Sequence, residues 1–117
     1  MDRSVALAHV DGDVQLLAEL AAMFVKDYPR FLHAARDSIE IGDGATLERE
    51  AHTLKGRLAF FGAFAARDKA LDLEMAGRRR DLAAASQILA EIESAMARVL
   101  LELEALCSEA PETERQP

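Results

Sequence analysis

The chain has 117 residues, half of them apolar, which is enough for one domain with a modest core that needs neither metal nor disulfide support. A lone cysteine, Cys107, excludes an internal disulfide and fits a reducing compartment, while a net charge of −7 argues against nucleic acid, whose phosphates reward clustered Lys and Arg. No apolar run approaches the roughly 20 residues of a membrane span, and the first residues lack the basic head and apolar stretch of a signal peptide, so a cytoplasmic protein with no membrane partner is expected.

Glycine occurs only at 12, 42, 44, 56, 62 and 77 and proline only at 29, 111 and 117, so most segments can run as long helices. A short helix or turn is predicted around Val5 to Val10, ending at "DGD", where Asp13 is placed to cap the next helix. From Val14, Leu16, Leu17, Leu20, Met23, Phe24, Phe31, Leu32, Ala35 and Ile39 recur at helical spacing up to "IGDG", predicting one helix kinked near Pro29. Asp43 is the next cap, for a helix that stops near Gly62. A fourth helix is expected from about Ala63 to Ala76, closed by Gly77 and three arginines. Asp81 caps the last, whose Leu82, Ala85, Leu89, Ile92, Met96, Val99, Leu100 and Leu103 form an apolar stripe. The predicted fold is all-α: an antiparallel four-helix bundle with a short N-terminal helical extension, over residues 1–107. Residues 108–117 are polar and proline-bearing, expected as a disordered tail.

The third helix carries the residues that point to chemistry. Its Leu47, Ala51, Leu54, Leu58 and Phe61 share one stripe at about 100° per residue, which must face the core. His52 lies on the opposite side, with Glu48, Lys55, Gly56 and Ala59 as its neighbours along the helix. A mid-helix glycine costs about 1 kcal/mol relative to alanine. Gly56 therefore calls for a reason, and open access to the histidine ring is one; a tight packing contact is the other. Gly62 reads instead as a left-handed turn where the chain reverses.

That reversal sets a register. His52 stands ten residues before Gly62 and Glu74 twelve after it. At 1.5 Å per residue both lie about 15 to 18 Å from the same turn, so an antiparallel pair brings them side by side. A carboxylate accepting the proton of one ring nitrogen would fix the tautomer and leave the other lone pair as a nucleophile, with Lys55 one turn on to offset the charge of an arriving phosphoryl group; the alternative is an exposed helix histidine with no role. The segment from Arg49 to Arg80 holds eight basic and four acidic residues, against the acidic balance of the rest, which suits an anionic ligand or partner but also an ordinary solvated helix surface.

The run "AHTLKGRLAFFGA", Ala51 to Ala63, resembles the signature of histidine phosphotransfer (HPt) domains, A-H-x-L-K-G followed by small or apolar residues and G-A. The likeness extends through "DGDVQLLAELAAMFVKDYPRFLHAARDSIEIGD" before it and "ALDLEMAGRRRDL" after it, roughly residues 5 to 105. The resemblance implies a four-helix bundle whose exposed histidine carries phosphate between receiver-domain aspartates in a multistep two-component phosphorelay. By position, His52 would be phosphorylated and Lys55 would assist the phosphoryl group. Gly56 and Ala59 would give access, Gly62 the turn, and Glu74 the hydrogen bond to the ring. Arg57 departs from the small residue usual there, and it either restricts partner choice, contacting a phosphate or an acidic receiver loop, or is a plain surface arginine.

The implied partners are a response-regulator receiver domain or a hybrid histidine kinase. The protein is then a monomeric phosphoryl carrier rather than an enzyme with its own ATP site, since no phosphate-cradling glycine loop is present. It would hold no cofactor, the Mg2+ belonging to the receiver. Phe60, Phe64 and Leu7 or Val10 would form an apolar docking patch around His52, unless the two phenylalanines belong to the core. The competing reading is a binding module of the same fold that docks on or inhibits a kinase or regulator without transferring phosphate. His9, His33, His52 and Cys107 show no metal-ligand spacing, so no metal site is expected.

Overall fold

The structure, a computed structural model, describes residues 1–109 of the chain. Five helices follow one another: α1 (Arg3–His9), α2 (Val14–Ile41), α3 (Gly44–Phe60), α4 (Phe64–Arg79) and α5 (Leu82–Glu109). Side-chain caps start four of them where the sequence places Asp. Asp2 accepts from the backbone of Ser4 and Val5, Asp13 from Leu16, Asp43 from Thr46 and Asp81 from Ala84, each satisfying an amide that the first helical turn leaves unpaired. The Asp43 carboxyl is held below its ordinary value by the Thr46 hydroxyl and backbone amide. Helix α2 is unbroken across Pro29, which lies on its exposed side, and ends at Gly42 in the left-handed conformation. The last helix extends to Glu109, two residues past the expected end of the domain; the rest of the expected tail, 110–117, lies outside the described residues.

The four long helices form a bundle in which each packs against its neighbours in the cyclic order α2, α3, α4, α5. The inner faces supply one core, with Leu17, Leu47, Leu58, Leu73, Ile92, Met96 and Leu103 fully enclosed. All five apolar residues of the predicted α3 stripe are buried. In the predicted α2 stripe Leu20, Leu32 and Ile39 are half-buried, and the two outliers, Leu16 and Met23, are 40% and 66% exposed. They lie in the first turns of α2, where the shorter α3 has already ended opposite Phe24, whose ring meets Phe61 edge-on. Helix α1 covers part of that overhang. The Asp2 amide donates to Gly62 O at 2.9 Å, and the Asp2 backbone comes so close that a side chain at Gly62 would meet it at 2.7 Å. Gly62 is at φ +69°, so both space and backbone conformation demand glycine at this turn.

The end of α4 differs from expectation. The helix runs past Gly77 to Arg79, and Arg80, at φ 57°, is the left-handed cap, with its N–H donating back into the last turn. Gly77 serves packing instead: a Cβ there would stand 2.8 Å from the Glu48 amide nitrogen and 3.0 Å from Gly44 O. Gly44 and Gly77 thus let α3 and α4 approach backbone to backbone at one end while Gly62 joins them at the other. This close pairing fixes the faces on which the polar residues of the two helices meet.

Candidate functional site

His52 stands on the outer face of α3 with its side chain 66% exposed, and Glu74 faces it from α4, buried to 7%. Glu74 Oε2 lies 3.0 Å from His52 Nδ1. A carboxylate can only accept, so Nδ1 carries the proton and donates it, and in the neutral ring the lone pair is then on Nε2. The register counted from Gly62 therefore holds, because the two helices are close and nearly continuous on either side of a short turn.

Lys55, one turn along α3, is bound into the same group. Its ammonium lies 2.7 Å from Glu74 Oε1 as an ion pair, at an angle that makes no hydrogen bond. Arg78, one turn along α4, donates from Nε to Glu48 Oε2 at 2.8 Å and brings Nη2 to 4.0 Å from Glu74 Oε2. Burial works to raise the Glu74 carboxyl, but its contacts with Lys55 and His52 outweigh it, so the group is held below its ordinary value. A charged carboxylate beneath an exposed imidazole is the result. Such a carboxylate can orient the ring and offset positive charge on it, and Lys55 places a cation one turn further along α3.

Gly56 has nothing within 4 Å of where a Cβ would be. The packing explanation for this glycine fails, and the space beside the ring is open. Ala59, half-buried, continues the strip of small residues past the histidine. Arg57 points the other way: its guanidinium pairs with Asp27 on α2, which also receives Arg30. These two hydrogen-bonded arginines, Arg30 foremost, hold the Asp27 carboxyl below its ordinary value against a small burial effect.

Beside Gly56 an open groove of about 890 Å3 runs between α2 and α3, lined by Leu20, Met23, Phe24, Phe60 and Phe61 and by the charged Lys26, Asp27, Arg30 and Arg57. Of the residues expected in an apolar patch, half-buried Phe60 lines this groove. Phe64 is 39% exposed under the Arg67 guanidinium, Leu7 is half-buried, and Val10 belongs to the core.

Three further contacts surround the site. Arg78 sits four residues after Glu74, a helical spacing that marks it as a neighbour of the carboxylate. Asp27 and Arg57 meet only because α2 and α3 pack, which no local pattern reveals. His9 Nδ1 donates to Phe60 O at 2.8 Å, since a carbonyl only accepts, and the His9 ring stacks on Phe60 at 4.9 Å. Among the described residues no three His, Cys, Asp or Glu side chains gather as a metal-ligand set. No described helix is long and apolar enough to cross a membrane.

Among protein families, the model of the Hpt domain matches residues 19–110. Among solved structures, the crystal structure of histidine-containing phosphotransfer protein B (HptB) from Pseudomonas aeruginosa PAO1 superposes with a TM-score of 0.87, covering 95% of this chain and 96% of that one at 22% identity, a likeness of fold. No curated protein sequence matches.

Proposed function

The chain belongs to the Hpt domain family, and from that premise we propose that it carries a phosphoryl group on His52 between receiver-domain aspartates of a two-component phosphorelay. The observation that carries this reading is the hydrogen bond from exposed His52 at Nδ1 to buried Glu74, which in the neutral ring puts the lone pair on Nε2. In the transfer, the Nε2 lone pair forms a bond to phosphorus as the bond from phosphorus to the aspartyl oxygen breaks, and the aspartate leaves with that electron pair. In the neutral ring Nε2 carries no proton, so none has to move. The ring gains positive character as the bond forms, and the Glu74 carboxylate offsets it through the Nδ1 proton.

Lys55 has two anions to serve. Before transfer its ammonium rests on Glu74; afterwards the phosphoryl oxygens on Nε2 compete for it, and Arg78 stays near the carboxylate. Gly56 and Ala59 keep the approach to Nε2 clear, and Gly62 keeps α4 in register with α3. The receiver supplies the aspartate and the Mg2+ that such a transfer uses, so this chain acts as a monomeric cytoplasmic carrier with no ATP site or cofactor of its own, its other partner being a hybrid histidine kinase.

The test is phosphotransfer from a phosphorylated receiver domain to the wild type and to His52→Gln, read as an acid-labile, alkali-stable label. Label on the wild type alone is expected. A wild type that binds receivers and takes no label would make the protein a docking module instead.

A further inference from the structure

We infer that the groove between α2 and α3 selects its partner by charge: it takes an amphipathic helix of the receiver that presents a carboxylate to Arg57, and the Asp27 carboxylate holds that arginine in place until the partner arrives. The inference rests on the phosphorelay reading and concerns which receivers are accepted.

The groove has the dimensions of a helix seat. Its α2 wall runs from Leu20 to Arg30, eleven residues with a rise of about 15 Å, which matches between two and three turns of a docking partner. On α3 the missing side chain at Gly56 lowers the opposite wall one turn from His52, so a helix lying here is next to the nucleophile. The floor is apolar, and Met23, 66% exposed, offers an unbranched side chain that adapts to a partner's surface.

Charge argues for the carboxylate. In a chain of net −7, this groove is lined by three cations, Lys26, Arg30 and Arg57, against the single carboxylate of Asp27. Arg30 is further shared with Glu50 at 3.6 Å, whereas Arg57 has Asp27 as its partner at 2.5 Å. The Arg57 side chain is 48% exposed, so one face of the guanidinium is turned to an incoming group and is already positioned, with less rotamer freedom left to lose. A partner carboxylate completes a bidentate fork that Asp27 only half fills.

The experiment first screens receiver domains for transfer to the wild type, then measures kcat and KM for an accepted receiver with three variants. Arg57→Asp is expected to raise KM about tenfold or more with kcat little changed, since a like charge now opposes the partner. The exchange variant, Asp27→Arg combined with Arg57→Asp, retains the intramolecular pair and hence the fold, and is expected to show the same raised KM. Asp27→Asn leaves Arg57 unheld and is expected to raise KM severalfold with kcat little changed, because the arginine must then be ordered by the partner; an unchanged or lowered KM would overturn the holding role of Asp27. If no receiver labels the wild type, the phosphorelay reading itself has failed. If a receiver transfers and both Arg57→Asp and the exchange variant keep the wild-type KM, charge selection is overturned while the relay stands. A concentration-dependent dimer that is broken by Met23→Lys would overturn it too, by giving the groove to a second copy of the chain.

Discussion

Replacing Glu74 by Gln keeps the size of the side chain and removes its charge. The amide oxygen can still accept from His52 Nδ1, so the change isolates the electrostatic part of the contact. Coulomb's law at the observed 3.0 Å gives about 5 kcal/mol between full charges at an effective dielectric of 20 and about 1.4 kcal/mol in bulk water. His52 is two-thirds exposed and acquires only part of a charge during transfer, which places the loss near the lower figure. At about 1.4 kcal/mol, the rate of transfer from a receiver is expected to fall about tenfold at saturating receiver concentration. Rapid-quench labelling gives that rate, and the nitrogen shifts of the imidazole give its tautomer. Wild type should have its proton on Nδ1, and the Gln variant should show a mixed population because the amide can also donate. A variant that transfers as fast as wild type, or a wild-type ring with its proton on Nε2, would refute the assignment of Glu74 as the group that orients and offsets His52.

Three further perturbations separate access from stability. Gly56→Ala meets no neighbouring atom and removes a helix-interior glycine, so chemical denaturation should show about 1 kcal/mol of added stability while receiver transfer slows. Gly77→Ala pushes a methyl against the α3 backbone at 2.8 Å, so its cost should exceed the helix-propensity gain and leave the protein about 2 kcal/mol less stable in the same assay. The sole tyrosine, Tyr28, has a buried hydroxyl with no hydrogen-bond partner; burial first and the nearby Glu93 second, against Arg36, push its pKa up to about 12 from 10.0. The folded state thus favours the neutral phenol, a stabilisation present below pH 10 and lost as pH rises from 10.0 to about 12. Urea midpoints should fall more steeply across that window in wild type than in Tyr28→Phe, which at neutral pH should be as stable as wild type or slightly more so.

What could be anticipated from the residues was whatever depends on one helix or on two helices joined by a tight turn. The caps at Asp13, Asp43 and Asp81 and the buried stripe of α3 follow from local chemistry and the helical period. The meeting of His52 with Glu74 follows from counting outward from Gly62, because a short connection between antiparallel helices leaves little freedom of register. Contacts between elements distant in sequence were beyond reach. Gly77 near a run of arginines has the pattern of a helix stop, and only the approach of Glu48 and Gly44 gives it another task, leaving Arg80 to adopt the left-handed conformation. Leu16 and Met23 obey the helical period of α2 but lie where α3 no longer covers them. Arg57 meets Asp27 across 30 residues of sequence, a pairing set by how α2 and α3 pack.

The unequal lengths of the helices and the convex placement of His52 bear on timing. The ring projects from one side of a narrow bundle, with a single open nitrogen and one adjoining groove. In the proposed relay, a donor and an acceptor that both read this face cannot occupy it together. The first must leave before the second can bind. The order of events is then governed by competition for one surface and by the relative abundance of those who seek it. A surplus of an unphosphorylated acceptor would both drain the carrier and shield it from its donor.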